Sequence, residues 1–236
     1  MYNQHIILDF EMNPISKENK CIRRILPSEI IEIGAVKLNE RFEIADKFGC
    51  LIKPQYNKEI KPQIVRLTGI TSLDISMSAS FEKALPAFRN WIGKGKTRIY
   101  SWGKQDIIQL KRECRTKDVM FPPNMQRWID FQPVYMRLMK LGKAPTISLD
   151  HASQLCGIDM DKGKAHRALY DAEITATLVQ SALTGEYKKQ VSALEKNMNR
   201  YEELTVSIGN VCGDVLKKIL NQLTEPASSL NIDYSK

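Results

Sequence analysis

The sequence predicts an α/β fold: a mixed sheet flanked by helices, with a helical C-terminal extension. Three observations carry this expectation. Three short apolar runs of strand character open the chain. Strand-like and helix-like patterns then alternate, which places helices against the sheet. After Gly185 the pattern changes to a 3-4 apolar repeat.

The first strand is expected over His5-Ile6-Ile7-Leu8-Asp9-Phe10, a short apolar run of the kind a central strand makes. Ile30 to Val36 is the second and Phe48 to Ile52 the third, ended by Pro54, which lacks a ladder donor. Between the first two lies a polar loop, Met12 to Ser28, carrying Lys17, Lys20, Arg23 and Arg24. Ser80 is placed to cap a helix with an apolar stripe at Phe81, Ala84, Leu85, Phe88 and Ile92. Pro86 inside that stripe predicts a kink or a late start.

Arg98 to Trp102 reads as a fourth strand, Ile107 to Cys114 as a helix, and Arg127 to Asp130 as a short fifth strand. Pro133 to Leu141 is helical and stops at Gly142. Ser148 caps another helix through Cys156, closed by Gly157. Ala165 to Leu183 is a long helical stretch ending before Gly185. Val191, Leu194, Met198, Tyr201, Thr205, Ile208, Cys212, Val215 and Ile219 then form a coiled-coil-like seam, weakened by Gly209 and Gly213. A helix lying on the body accounts for this seam better than a dimer zipper, although residues 191–219 could also serve a helical protein partner. The expected boundaries are a main domain over 1–184, a helical extension over 185–225 and a frayed polar tail over 226–236.

At 236 residues the chain is long enough for a full core without disulfide staples. No apolar stretch is long enough to span a membrane, and no basic leader with a cleavage site precedes Ile6, so no signal peptide is expected. The five cysteines (Cys21, Cys50, Cys114, Cys156 and Cys212) are scattered with no C-x-x-C, which fits a reduced cytoplasm and no zinc cluster. The net charge is +8, and residues 185–236 are neutral, with seven bases and seven acids. The whole excess therefore sits in the main domain, as suits a polyanionic partner, although a positive charge also serves solubility.

Three features could carry chemistry. Asp9-Phe10-Glu11 ends the first strand, and side chains two apart on a strand share a face. Two carboxylates on one buried face repel, and a divalent cation neutralises them; at an open strand end, water does so instead. Asp171 opens an apolar, alanine-rich helix, where an acid also complements the helix dipole. His166 lies five residues before it, flanked by Gly163, Ala165, Ala168 and Ala172, small residues that argue for close packing rather than a mobile surface loop. Asp106 follows the fourth strand at the start of a helix and has the same innocent role available.

Together, D-x-E after strand one, an aspartate opening the helix after strand four, and A-H-x-A-x-x-D-A over Ala165–Ala172 resemble the three motifs of the DEDDh family of 3′–5′ exonucleases. That family has a ribonuclease-H-like fold. Glu29-Ile30-Ile31-Glu32-Ile33-Gly34-Ala35 and Leu67-Thr68-Gly69-Ile70-Thr71 resemble two further segments of it. The resemblance covers about residues 4–183, and within the family it points to the Eri-type branch, which includes RNA exonucleases and bacterial sporulation-inhibitor-like proteins. It implies that Asp9, Glu11, Asp106 and Asp171 hold two Mg²⁺ or Mn²⁺ ions and that His166 is the general base. The substrate it implies is a single-stranded 3′ end, RNA ahead of DNA, cut to nucleoside 5′-monophosphates. Hard ions suit carboxylate ligands, and imidazole suits proton transfer near neutral pH.

Phe10, Leu67, Thr68 and Trp102 are the candidate substrate contacts: Phe10 through its backbone, Leu67 and Thr68 as a wedge, and Trp102 by stacking on a base. Core packing is the competing role for each. Lys17 to Arg24, with Lys53, Lys58, Lys61 and Arg66, could follow phosphates. Asp130, after the fifth strand, is expected to cap a helix. Two other functions remain open at this point: a regulatory protein acting through partner contacts, and a phosphomonoesterase on small nucleotides.

Overall fold

The computed structural model describes residues 2–142 and 146–196. The strands are β1 (Gln4–Pro14), β2 (Ser28–Leu38), β3 (Ile44–Lys53), β4 (Ala79–Ser80), β5 (Thr97–Ser101) and β6 (Trp128–Asp130). They form one mixed sheet in the order β4-β3-β2-β1-β5-β6. β1, β2 and β3 make an antiparallel meander; β5 runs parallel to β1, and β6 parallel to β5. The expected mixed sheet flanked by helices is what the chain adopts.

Alternation along β1 divides the interior in two. Ile6, Leu8 and Phe10 belong to one core with Phe81, Leu85 and Phe88 of α4 (Phe81–Ile92) and Leu110 of α5 (Gln105–Thr116). Ile7 points the other way, into a core with Tyr100, Phe131 and Tyr135 of α6 (Phe131–Leu138), Ala152 of α7 (Leu149–Leu155), and Ala172 and Val179 of α8 (Ala168–Thr184). Asp9 and Glu11 share the parity of Ile7 and so lie on the α8 side of the sheet.

Several expectations are corrected. The polar loop 12–28 is shorter than expected, because β1 runs to Pro14 and residues 20–25 form α1 (Lys20–Ile25). α4 runs unbroken through Pro86. That residue sits on the exposed face, so water can satisfy the carbonyl that loses its intrahelical donor. Two short helices, α2 (Pro62–Thr68) and α3 (Ser72–Ser76), occupy a stretch for which no helix was expected. Their signals are present: proline at the start and left-handed Gly69 after the end of α2, and a Thr71–Asp74 capping box on α3. Ser148 caps α7 as expected, its hydroxyl accepting from the His151 amide, and left-handed Gly185 ends α8.

A further helical segment, 187–196, follows Gly185. Val191 is buried and Leu194 partly buried against the α8-side core, so the first two positions of the apolar seam pack on the body. The rest of the seam, from Met198 to Ile219, the tail and Cys212 lie outside the described residues. Cys21, Cys50, Cys114 and Cys156 are free thiols.

Candidate active site

The site lies where β1 runs past β5. Their pairing ends at Ile7 and Tyr100, so Asp9, Phe10 and Glu11 extend beyond it. Asp106 stands in the first turn of α5, buried, with the backbone of Phe10 close enough to favour its ionised form. A register shift between Glu11 and Met12 marks a bulge just beyond Glu11; such bulges re-aim side chains beside active sites.

From the far end of the chain, α8 lays its first turn across β2 at Gly34, the register partner of Asp9. A Cβ built on Gly34 would come within 2.0 Å of the Ala168 carbonyl carbon. This close approach puts Asp171 beside Asp9 and Glu11. Ligating atoms of Glu11, His166 and Asp171 lie within 4.8 Å of one another. The His166 backbone and ring both favour the ionised form of Asp171. His166 itself is exposed and left-handed, with φ 62°, a conformation uncommon for a residue with a Cβ.

The electrostatics are those of crowded acids. Burial first, and then Asp106, Glu11 and Asp171, hold Asp9 well above the usual carboxylate range. Burial, with Asp171 and Glu32 nearby, pushes Glu11 up to about 8. Burial pushes Asp106 up to about 7, against the pull of its own backbone and that of Phe10. Burial pushes Asp171 up to about 6, countered by His166. Each acid would ionise more readily with a cation beside it.

The candidate substrate contacts are placed less uniformly. The Phe10 ring is buried on the opposite face of β1 from Asp9 and Glu11. Thr68 is buried, its hydroxyl donating to the Ile64 carbonyl and accepting from the Ile70 amide. Leu67 on α2 is 48% exposed. Trp102 packs edge-on against Phe131 and Tyr135 and donates to the Ile147 carbonyl at 3.1 Å. Of the basic residues, Lys17, Lys20, Arg23 and Arg24 are exposed on and around α1, whereas Lys53 is tied to the Ser76 carbonyl. Asp130 stands at the N-cap position of α6 but, against expectation, makes no side-chain capping hydrogen bond there, and its Oδ1 is buried and unpartnered among the described residues.

Sequence reasoning missed Glu32. It lies buried in the middle of β2, opposite Glu11, and binds Arg167 and the Ala168 amide. The signal was a charge inside the apolar run Ile30 to Val36, since a buried charge needs a partner. It also missed Lys117, buried between Glu29 and Glu113 at 2.9 and 2.8 Å. Glu29 in turn accepts from the amides of Gln55, Tyr56 and Asn57, fixing the segment that leads to α2.

Comparison with known proteins shows the family to which the chain belongs. Residues 6–179 match the RNase T family of exonucleases. The chain belongs to that family. It is 27% identical to human 3′-5′ exoribonuclease 1 over 158 residues, covering 64% of this chain and 45% of the human protein. It is 27% identical to ERI1 exoribonuclease 2 of Xenopus laevis over 215 residues, covering 81% of this chain and 30% of the frog protein. The chain thus spans less than half the length of these curated relatives. Among solved structures, the nuclease domain of 3′hExo, a DEDDh family member bound to rAMP, superposes with a TM-score of 0.68 at 26% identity, covering 78% of this chain and 93% of that one. These relatives agree with the Eri-type resemblance and with the ribonuclease-H-like sheet.

The exonuclease family implies divalent metal ions, and the residues present fit them. The donor set is carboxylate-rich and hard, and Asp171 Oδ1 is buried without a hydrogen-bond partner among the described residues. No helix among the described residues is long and apolar enough to cross a membrane.

Proposed function

We propose that this chain is a metal-dependent 3′–5′ exonuclease that releases nucleoside 5′-monophosphates from single-stranded 3′ ends, RNA ahead of DNA. The observation that carries the reading is the convergence of Glu11, His166 and Asp171 within 4.8 Å, backed by Asp9 and Asp106, in an exonuclease-family chain. Asp9, Glu11, Asp106 and Asp171 would hold two Mg²⁺ or Mn²⁺ ions. When bound, such a pair neutralises the phosphodiester, lowers the proton affinity of the attacking water and stabilises the leaving 3′-oxygen.

The other roles belong to the chain itself. A ring nitrogen of His166 accepts the proton of the attacking water and passes it to solvent through the open side on which the ring is exposed. The first turn of α8 keeps Asp171 and His166 in register with β1. Leu67, exposed on α2, is the apolar side chain suited to meet the terminal base, and Trp102, packed on Phe131 and Tyr135, would offer a fixed ring edge. Thr68 and Phe10 contribute as supports. The preference for RNA rests on the relatives, whose names are those of exoribonucleases.

The test is digestion of 5′-end-labelled single-stranded RNA and DNA of one sequence in Mg²⁺, in Mn²⁺ and in EDTA. A ladder shortening from the 3′ end, faster on RNA, with 5′-monophosphate products and no cleavage in EDTA is expected. Nucleoside 3′-monophosphates, internal cuts, or release of phosphate from mononucleotides alone would overturn the reading. Binding without turnover in either metal would favour a regulatory protein instead.

A further inference from the structure

We propose that Glu32 is a positioning residue: by gripping the two residues that follow His166, it sets the backbone from which that imidazole meets the substrate. The proposal rests on the reading of His166 as proton acceptor.

Glu32 is 5% exposed, and an unpaired carboxylate there would be strongly destabilising. Its partners come from one place. The Arg167 guanidinium donates from Nη2 to Oε1 at 2.7 Å and from Nε to both oxygens at 3.2 Å, and the Ala168 amide donates to Oε2 at 3.0 Å. A planar fork on a carboxylate fixes orientation as well as distance. The grip also engages the first amide of α8, where a negative charge complements the helix dipole.

The residue just upstream of this grip is His166, at φ 62°. A left-handed residue bearing a Cβ persists only where its surroundings over-determine it. On the upstream side the chain is held by the amides of Lys164 and Ala165 on the Asp161 carbonyl, and by the Asp161 amide on the Tyr170 hydroxyl. On the downstream side the holding contact is Glu32. His166 is therefore clamped from both flanks while its ring stays exposed. Arg167 is about half exposed at its side chain, so changing it need not disturb the core.

A plain structural anchor for α8 would alter melting temperature and every kinetic constant together. A positioning residue lowers kcat and leaves KM and metal affinity alone. The experiment compares wild type, Glu32→Gln, Arg167→Lys, His166→Ala and the double variant E32Q/H166A on end-labelled RNA, with Mn²⁺ affinity measured by calorimetry. The imidazole C2–H resonance of His166 is followed in the metal-free proteins. The expected result is a fall in kcat of about 10–100-fold for E32Q, the range seen when a partner behind an active group is lost, and a smaller fall for R167K. KM and Mn²⁺ affinity hold, the His166 resonance moves, and the double variant is no slower than H166A. Additive losses in the double variant, or an unchanged kcat in E32Q, would overturn the proposal. If E32Q does not fold, R167K decides on the same readouts. A wild-type protein with no metal-dependent activity would instead overturn the proposed function, and the proposal with it.

Discussion

Gly34 and Ala168 lie backbone to backbone: a Cβ on Gly34 would stand 2.0 Å from the Ala168 carbonyl carbon, 2.3 Å from its oxygen and 2.0 Å from the Leu169 nitrogen. No flexible side chain is available there to move aside. Because Gly34 is the register partner of Asp9, the same contact seats α8 over the carboxylates. Gly34→Ala should therefore lift the first turn of α8, and overpacking of this kind costs about 1–3 kcal/mol. Displacing Asp171 and His166 by about 1 Å should cost on the order of 100-fold in kcat/KM. Thermal melting and single-turnover digestion check both. A variant with wild-type rate would show that this approach does not set the site.

Asp9→Asn and Asp171→Asn should abolish turnover in Mg²⁺ while leaving the metal-free fold intact or more stable. Each substitution removes one acid from a group whose proton affinities burial and neighbouring carboxylates already raise. Near-wild-type digestion by either variant would remove that residue from the ion-holding set.

The same crowding sets a pH dependence. Glu11, Asp106 and Asp171 have native values pushed up to about 8, about 7 and about 6, above their ordinary carboxylate values. Between those ordinary values and about pH 8 the native state binds more protons than the unfolded one, so stability from these groups falls as pH rises. The contribution is complete below the ordinary carboxylate range and lost as pH passes the native values. In EDTA, melting temperature should drop more steeply from pH 5.5 to 8 for wild type than for Asp9→Asn. Saturating Mn²⁺ should flatten the wild-type curve. Parallel curves for the two proteins in EDTA would contradict the assignment.

His166→Ala should slow hydrolysis by about 10²–10⁴-fold, the range for loss of a general base. Mn²⁺ affinity should hold, because the four carboxylates remain. A collapse of Mn²⁺ binding in calorimetry would make His166 a ligand, a role its proximity to Glu11 and Asp171 would permit.

Truncation after Gly185 should lower melting temperature without changing the salt dependence of RNA binding. It removes buried Val191 from the α8-side core, and a Val side chain fully buried contributes about 1.5–3 kcal/mol. Residues 185–236 are charge-neutral, so they add little to counterion release. Filter binding at several salt concentrations and sedimentation before and after truncation test this; a flatter salt slope would mean that the extension handles nucleic acid.

Much of the site was legible because its signals are local. A period of two places Asp9 and Glu11 on one face whatever else folds around them, and the A-H-x-A-x-x-D-A string marks both the histidine and the small residues needed beneath it. Ala168 and Ala172 are fully buried as that packing argument requires, whereas Gly163 is exposed and serves a turn on Asp161 instead. α2 and α3 were missed although proline, glycine and a capping box announced them, because each is too short to show an apolar stripe.

Other features were decided only in three dimensions. Nothing near Phe10 in the chain says that its backbone lies beside Asp106 while its ring faces away from the acids. Nothing near Glu32 says that its partners lie 135 and 136 residues away. By itself the sequence determined which side chains share a face and where elements begin and end, since propensity, capping and periodicity act over a few residues. The tertiary structure decided which faces meet. The meeting of β1, α5 and α8 depends on how closely backbones approach, above all at Gly34, and on which buried charges find partners, and both are properties of the packed chain as a whole.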